Sequence, residues 1–192
     1  MAIRLATPDD GAAVAAIYAP VVRDTVISFE VDPPSVAEMA ARIAATLPHY
    51  PYLVAEEAGR VVGYAYAGAH RARAAYGWSV EPSVYVAAGA QGRGVGRALY
   101  TPLFAILRAQ GFASAYAGAT LPNDASLGLH RAMGFEDVGV FRQVGFKHGR
   151  WHDVWWGALD LLPDRGTVPV APLSITVLAA DGRLDAALGA GG

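Results

Sequence analysis

One segment constrains this chain more than any other: a glycine-rich turn between an apolar β-type run and a helical pattern. The run Ser83-Val84-Tyr85-Val86 comes first, and the turn itself comprises Gln91, Gly92, Arg93, Gly94, Val95, Gly96 and Arg97. Glycines let the backbone approach a ligand closely, and the first N–H groups of a helix lack intrahelical partners. Together with the helix dipole, these groups predict an anion site suited to a pyrophosphate.

Two common phosphate-binding templates do not fit this turn. A P-loop requires Lys and then Ser or Thr after its last glycine, whereas Arg97 and Ala98 follow Gly96. The dinucleotide fingerprint requires its third glycine at position 97 or 99, and these positions hold Arg97 and Leu99. The pattern that does fit is Gln-x-x-Gly-x-Gly between a strand and a helix.

Apolar periodicity and capping signals predict the order β-α-α-β-β-β-α-β-α-β-β along the chain. The predicted strands cover residues 3–5, 52–57, 61–67, 80 or 83–86, 113–119, 135–143 and 152–161. The predicted helices run from the Thr7 cap to Val22, from the Ser35 cap to Leu47, from Gly96 to Gln110 and from a cap at Asn123 or Asp124 to Met133. This order predicts an α+β domain around a mixed, mostly antiparallel sheet.

The predicted domain covers residues 1–163, and the segment 164–192 is rich in proline, glycine and alanine. Such a composition buries little apolar surface and is typical of a partly disordered tail. Within this tail, Leu173 to Leu178 is the one run with strand character.

Charge and composition exclude several classes of protein. The chain has no cysteine, which excludes disulfides, thiolate metal sites and a cysteine nucleophile. Its 15 basic and 17 acidic residues argue against non-specific nucleic-acid binding, which requires many phosphate contacts. No apolar run approaches the roughly 20 residues of a membrane span, and the start has no signal-peptide pattern. We expect a cytoplasmic protein that binds neither nucleic acid nor membranes.

The glycine turn and the element order resemble the GCN5-related N-acetyltransferase superfamily, whose acyl-CoA signature matches Gln91, Gly94 and Gly96. Further segments are similar to its phosphinothricin acetyltransferase branch: Trp78 to Val86, Leu121 to Asp124 and Gly145 to Asp153. The resemblance extends from about Ile3 to Pro163. It implies the superfamily fold, a sheet flanked by about four helices, with acetyl-CoA as co-substrate.

The resemblance also assigns residues to the co-substrate. It implies that Val84, Tyr85 and Val86 bind the pantetheine as an added strand would. The pyrophosphate would lie against Gly92, Arg93, Gly94, Val95, Gly96 and Arg97, beside Gln91, and the pantetheine near Asn123. Arg93 and Arg97 have an alternative interpretation as surface arginines, and Asn123 as a plain helix cap.

Acetyl transfer to an amine requires the neutral amine, so the site needs a group that removes a proton. An α-amino group has a pKa of about 8, so a modest base or a water relay suffices. The resemblance implies Glu81 as this base, with a structural acid at a strand end as the alternative. It also implies a second acid or base at His130, with a packing or surface histidine as the alternative. Tyr85 and Tyr100 are further candidates for the thiol-side donor, with core packing as their alternative.

For the acceptor, the candidate residues are Phe29, Arg71, Arg73 and Tyr76. Two arginines beside an aromatic ring favour a carboxylate or phosphinate, although a solvated basic loop is the alternative. Lys147, His148, Trp151 and His152 resemble a late loop of the branch that lines the acceptor pocket or a dimer interface. The two histidines lack a third ligand nearby, so we expect no metal.

These inferences lead to one functional hypothesis: an acetyl-CoA-dependent N-acetyltransferase. We expect it to acetylate the free α-amine of a small amino-acid analogue such as phosphinothricin, methionine sulfoximine or methionine sulfone. Transfer would be direct in a ternary complex, since no cysteine can form an acyl-enzyme, and the resemblance implies a homodimer. The alternatives are another acceptor, such as a polyamine or a protein N-terminus, and a non-catalytic CoA-binding sensor.

Overall fold

The computed structural model describes residues 1–166 and 169–189. The strands are β1 (Ala2–Leu5), β2 (Tyr52–Glu57), β3 (Arg60–Ala69), β4 (Ser79–Val86), β5 (Ser114–Thr120), β6 (Glu136–Lys147) and β7 (Arg150–Asp160). The helices are α1 (Gly11–Asp24), α2 (Val36–Thr46), α3 (Val95–Gln110), α4 (Asp124–Ala132), α5 (Ile175–Ala180) and α6 (Arg183–Gly189). Up to β7, the predicted order of strands and helices is confirmed.

The seven strands form one sheet in the order β1-β2-β3-β4-β5-β7-β6. Every neighbouring pair is antiparallel except β4 and β5, which run parallel. These two strands pair only at Ser79 with Ser114 and at Val80 with Ala115. Beyond Val80 they diverge, so a gap opens in the middle of the sheet, and this gap positions the site described below.

Helices cover both faces of the sheet. On one face, α3 packs Leu99, Leu103 and Leu107 into a large core that also holds Val80 and Ala115. On the other face, α1 and α2 enclose a second core that includes side chains of β2 and β3. Because successive strand residues point to opposite faces, Val80 lies on the α3 face while Glu81 and Tyr85 lie on the α1–α2 face.

Local chemistry sets the ends of the helices where the sequence predicts them. The Ser35 Oγ accepts a hydrogen bond from the Glu38 N–H, and the Glu38 carboxylate accepts one from the Ser35 N–H. This reciprocal capping box starts α2. Gly111 ends α3 in the left-handed region at φ 94°, where glycine carries no steric penalty.

The prediction of a strand at Leu173 to Leu178 is wrong, because α5 begins within this run. The Ser174 Oγ accepts a hydrogen bond from the Val177 N–H and caps the helix. Ile175 and Leu178 then face the core at helical spacing. The run is apolar and contains β-branched residues, so its composition favours a strand. Burial of the run against α3 stabilises a helix instead. The domain boundary and the partial disorder of the tail stay predictions.

Among residues 1–166 and 169–189, no helix is both long enough and apolar enough to cross a bilayer.

Candidate active site

The gap between β4 and β5 leads into a cavity of about 440 Å³ beside the start of α3. Its lining comes from β4, the glycine turn, α4 and the end of α1. The lining residues are Val21, Ile27, Val84, Tyr85, Val86, Ala90, Gln91, Gly92, Gly94, Val95, Gly96, Arg97, Asn123, Ala125, Ser126 and Leu129. The structure therefore brings together all the residues predicted to bind the co-substrate except Arg93. It also adds Ile27 and Leu129, which no sequence motif indicated.

The glycine turn presents its backbone to this cavity. Gly92 and Gly94 adopt φ of 72° and 82°, and Gly94 is the N-cap of α3. A Cβ at either position would meet no heavy atom within 4 Å, so the space beside them is open. Side chains there would fill the space that a phosphate needs in order to reach the N–H groups of the helix start. The turn thus fits a pyrophosphate.

The two arginines of the turn are already partly engaged. The Arg93 guanidinium lies 2.9 Å from the Glu57 carboxylate, and the Arg97 Nη2 donates to the Ala132 carbonyl oxygen over 3.3 Å. Both side chains are exposed at the rim. The alternative interpretation of Arg93 as a surface arginine gains support from its ion pair, whereas Arg97 lines the cavity itself.

The edge of β4 that faces the gap is free to bind an extended ligand. On its other side, the residues from Val80 to Val86 pair with β3. Towards β5, among the described residues, the pairing stops at Val80. Unpaired strand edges accept added strands through backbone hydrogen bonds. This edge is where the resemblance predicts the pantetheine.

Asn123 fits both of the roles that its sequence context allows. Its Oδ1 accepts a hydrogen bond from the Ser126 N–H over 3.1 Å and so caps α4. The same side chain lines the large cavity and a second, smaller one of about 60 Å³. This smaller cavity passes between Ser83 of β4 and Gly118 of β5, and it continues the cleft through the sheet.

His130 lies at the inner end of the smaller cavity and is buried. Its Nδ1 is 2.7 Å from the Ser126 carbonyl oxygen, and its Nε2 is 3.2 Å from the Tyr100 hydroxyl. A carbonyl only accepts, so Nδ1 carries the proton and Nε2 accepts from Tyr100. Burial lowers the pKa of His130, although the Ser126 hydrogen bond opposes this shift. The imidazole is therefore held neutral.

Glu81 lies on β4 immediately beyond the last residue that pairs with β5. Its Oε1 is 2.7 Å from the His70 Nδ1 and 3.0 Å from an Arg71 Nη1. The structure thus brings together the proposed base and one of the predicted acceptor residues. It also adds His70, which no motif marked, because its proximity to Glu81 depends on the β3–β4 register that pairs Gly68 with Glu81.

Of the other predicted acceptor residues, Tyr76 contacts this cluster, whereas Phe29 packs elsewhere. The Arg71 guanidinium lies 5.8 Å from the centre of the Trp156 ring, and the Tyr76 ring meets His70 edge-on at 5.9 Å. Arg73 is exposed, and no hydrogen bond to another described residue is formed by its side chain. Phe29 packs instead on the β6–β7 hairpin, against Gly145 and 6.3 Å from the His152 ring.

The late loop ties this hairpin to the connection between α1 and α2. The buried Lys147 ammonium donates to the carbonyl oxygens of Val22 and Ser28 over 2.6 and 2.7 Å. His152 is within 3.0 Å of the Lys147 carbonyl oxygen. Lys147 therefore positions the segment that carries Phe29. No group of three potential metal ligands occurs among residues 1–166 and 169–189.

Known proteins are similar to this chain in sequence and in fold. The family described as the acetyltransferase (GNAT) domain matches residues 3–156. The chain is 41% identical over 172 residues to phosphinothricin N-acetyltransferase of Streptomyces viridochromogenes, covering 90% of this chain and 94% of the relative. It is 39% identical over 165 residues to the L-methionine sulfoximine/L-methionine sulfone acetyltransferase of Pseudomonas paraeruginosa, covering 85% and 96% of the two chains.

A solved structure shares the same architecture. The phosphinothricin acetyltransferase of Sinorhizobium meliloti, crystallised with acetyl-CoA, superposes with a TM-score of 0.83 at 40% identity. The match covers 88% of this chain and 92% of that protein.

Proposed function

The chain belongs to the acetyltransferase (GNAT) family, and we propose that it acetylates the free α-amino group of a small amino-acid analogue. The acceptor would be of the phosphinothricin, methionine sulfoximine or methionine sulfone type. Acetyl-CoA is the co-substrate. The observation that carries this proposal is the cleft between β4 and β5, with an anion-binding turn beside it and the Glu81–Arg71 pair at its vertex.

The chain's own residues would hold acetyl-CoA in two ways. The edge of β4 at Val84 to Val86 faces the gap and would pair with the pantetheine amides, in place of the hydrogen bond that the Val86 carbonyl oxygen now accepts from the Gln91 Nε2. The N–H groups from Gly92 to Arg97 would bind the pyrophosphate. When bound, the co-substrate supplies an activated acetyl thioester. The chain has no cysteine to carry the acetyl group, so direct transfer in a ternary complex is the simplest route.

At the acceptor end, Arg71 offers an anchor for the acid group of the substrate. Glu81 and the Trp156 ring hold its guanidinium in place. A planar guanidinium has five N–H donors, so several remain for a carboxylate or phosphinate. Arg73 and Tyr76 lie on the same segment and would add charge and apolar contact. Phe29 would border the pocket from the hairpin side.

Proton transfer would be divided between two clusters. We assign proton removal from the amine to Glu81 and the side chains hydrogen-bonded to it. The Tyr100–His130 pair borders the smaller cavity, and we assign to it the proton that the departing CoA sulfur requires. The two clusters are separate: Glu81 lies where β4 and β5 begin to diverge, and the Tyr100–His130 pair borders the smaller cavity.

We also propose that two copies of the chain associate through the β6–β7 hairpin. Large apolar side chains are exposed there, namely Val138, Val140, Phe141, Val144, Phe146 and Trp151. β6 is also an edge strand. Extensive exposed apolar surface on a folded protein commonly marks an interaction site. The cytoplasmic location expected from the sequence stays a prediction.

A thiol-release assay with acetyl-CoA and a panel of amines tests the proposed reaction. We expect turnover with methionine sulfoximine, methionine sulfone or phosphinothricin at rates well above those with spermidine or an N-terminal peptide. Initial-rate plots against both substrates should intersect, because a ternary complex forms before transfer.

Three outcomes would contradict parts of the proposal. Acetyl-CoA binding without turnover on any amine would indicate a sensor. Preference for spermidine or the peptide would indicate a different acceptor class. Parallel initial-rate plots would indicate an acyl-enzyme and exclude direct transfer.

A further inference from the structure

The proposed reaction assigns proton removal to Glu81 and the side chains hydrogen-bonded to it, and His70 is one of these. We propose that His70 is the group that takes the proton from the acceptor amine and that Glu81 positions it. This inference rests on the proposed function, which it deepens by naming the proton acceptor. It is carried by the contact between the two side chains at the vertex of the cleft.

The hydrogen-bond geometry defines which nitrogen of His70 is available. The Nδ1 lies 2.7 Å from the Glu81 Oε1, and a carboxylate oxygen only accepts, so Nδ1 carries a proton. The lone pair of the neutral ring is then on Nε2, which makes no hydrogen bond to any described residue. A carboxylate that holds one nitrogen of a histidine while the other accepts a proton is the arrangement of hydrolase triads.

Aromatic contacts hold the ring across the gap between the two diverging strands. The His70 ring stacks on Tyr116 of β5 at 4.7 Å between centroids, while Glu81 belongs to β4. The edges of Tyr76 and Trp156 meet it at 5.9 and 6.1 Å. Its side chain is 13% exposed, so the ring is largely enclosed but not fully buried.

The hydrogen bonds of the two side chains distinguish His70, which keeps an acceptor nitrogen free among the described residues, from Glu81, which already holds two donors. The Glu81 Oε1 already accepts from both His70 and Arg71, and protonation of this carboxylate would cost the ion pair with Arg71. Protonation of His70, in contrast, creates an imidazolium directly beside the Glu81 carboxylate. The facing groups are Glu81 on β4, Tyr116 on β5, and Arg71 and Tyr76 on the segment that follows β3.

Acetyl transfer to the amine moves two protons away from the nitrogen and one to the sulfur. The acceptor arrives as an ammonium ion and gives one proton to the His70 Nε2, directly or through one water. The freed lone pair attacks the acetyl carbonyl carbon, a C–N bond forms and the C–S bond breaks. The nitrogen loses a second proton as the amide forms, and this loss balances the proton that the CoA sulfur takes up through the Tyr100–His130 pair. His70 then returns the first proton to solvent.

Variants of His70 test the step kinetically. We expect His70→Ala to lower kcat about 100-fold with an unchanged KM for acetyl-CoA, because general base catalysis contributes at least this much. Added imidazole should restore part of the rate, whereas a purely structural loss would not respond. His70→Gln, which still donates to Glu81, should be equally slow, and His49→Ala, at an exposed histidine remote from the cleft, should match the wild type.

A second readout does not depend on turnover. In ¹⁵N NMR spectra of the free protein, neutral His70 should be the Nδ1–H tautomer, and Glu81→Ala should shift it towards the Nε2–H tautomer. A wild-type His70 in the Nε2–H form would overturn the proposal. A kcat in His70→Gln within about twofold of the wild type would overturn it as well. A wild type that acetylates no amine would refute the proposed function instead, and the NMR result would still report on the pair.

Discussion

The surroundings of each histidine in the site determine its protonation or its orientation. The chain has 5 histidines, which are chemically identical until the fold gives each its surroundings. Burial against aromatic rings holds His130 neutral, whereas a carboxylate partner orients His70. The resemblance pointed to His130 and Glu81, but no local pattern marked His70. Its role depends on a partner 11 residues away.

The lowered pKa of His130 predicts a stability that depends on pH. An unfolded histidine titrates near 6.5, but the folded protein resists this proton because burial lowers the pKa. Below about pH 6.5 the unfolded chain therefore binds more protons, and the free energy of unfolding falls as pH falls. The loss approaches about 1.4 kcal/mol per pH unit until the folded pKa is reached.

Urea unfolding at pH 7.5 and 5.5 measures this effect. His130→Gln should lose less stability between the two values than the wild type, because it carries no titrating group. His49→Gln, at an exposed position, should lose as much as the wild type. An equal loss in His130→Gln would show that other groups cause the acid sensitivity.

At the level of elements, the start of α3 and the divergence of β4 from β5 create the cleft together. The glycine turn was recognisable in the sequence because its residues are consecutive. The sequence did not indicate which strand lies parallel to β4, since pairing between distant strands depends on the whole sheet. The strand wrongly predicted at Leu173 to Leu178 has the same origin, because packing against α3 outweighs the strand propensity of that run.

Gly94→Ala tests the anion-binding role of the helix start. Gly94 lies at φ 82°, where a residue with a Cβ costs about 1–2 kcal/mol, and the new methyl group would point into open space beside the turn. We expect the Kd for acetyl-CoA, measured by calorimetry, to rise about tenfold. Gly89→Ala is the matched control, because its Cβ also meets open space while its φ is not in the left-handed region. Equal Kd values for the two variants would exclude the role of Gly94.

For the whole molecule, the exposed hairpin predicts how copies of the chain associate. A stable dimer buries about 800 Å² per partner, and the apolar face of β6 and β7 offers a candidate surface. Lys147 ties this hairpin to the connection that carries Phe29. Association through the hairpin would therefore brace one wall of the acceptor side.

Sedimentation velocity measures this association. We expect the wild type to sediment as a dimer and Phe146→Glu as a monomer, because a charge at a 60% exposed phenylalanine removes apolar contact and repels its symmetric copy. Val177→Glu, at an exposed valine of α5, should remain dimeric. A monomeric wild type, or a dimeric Phe146→Glu variant, would contradict the proposed interface.

The order of elements up to β7, the glycine turn predicted to bind anions and the acetyltransferase family could all be inferred from the sequence, because they depend on neighbouring residues and on motifs of fixed spacing. Three features depend on the folded chain: β4 and β5 part beyond Val80, His70 reaches Glu81 and Tyr116 from the end of β3, and the tail forms the helices α5 and α6. These features arise from contacts between residues distant in sequence. Their free energies come from burial and pairing in the folded chain, which local propensity does not contain.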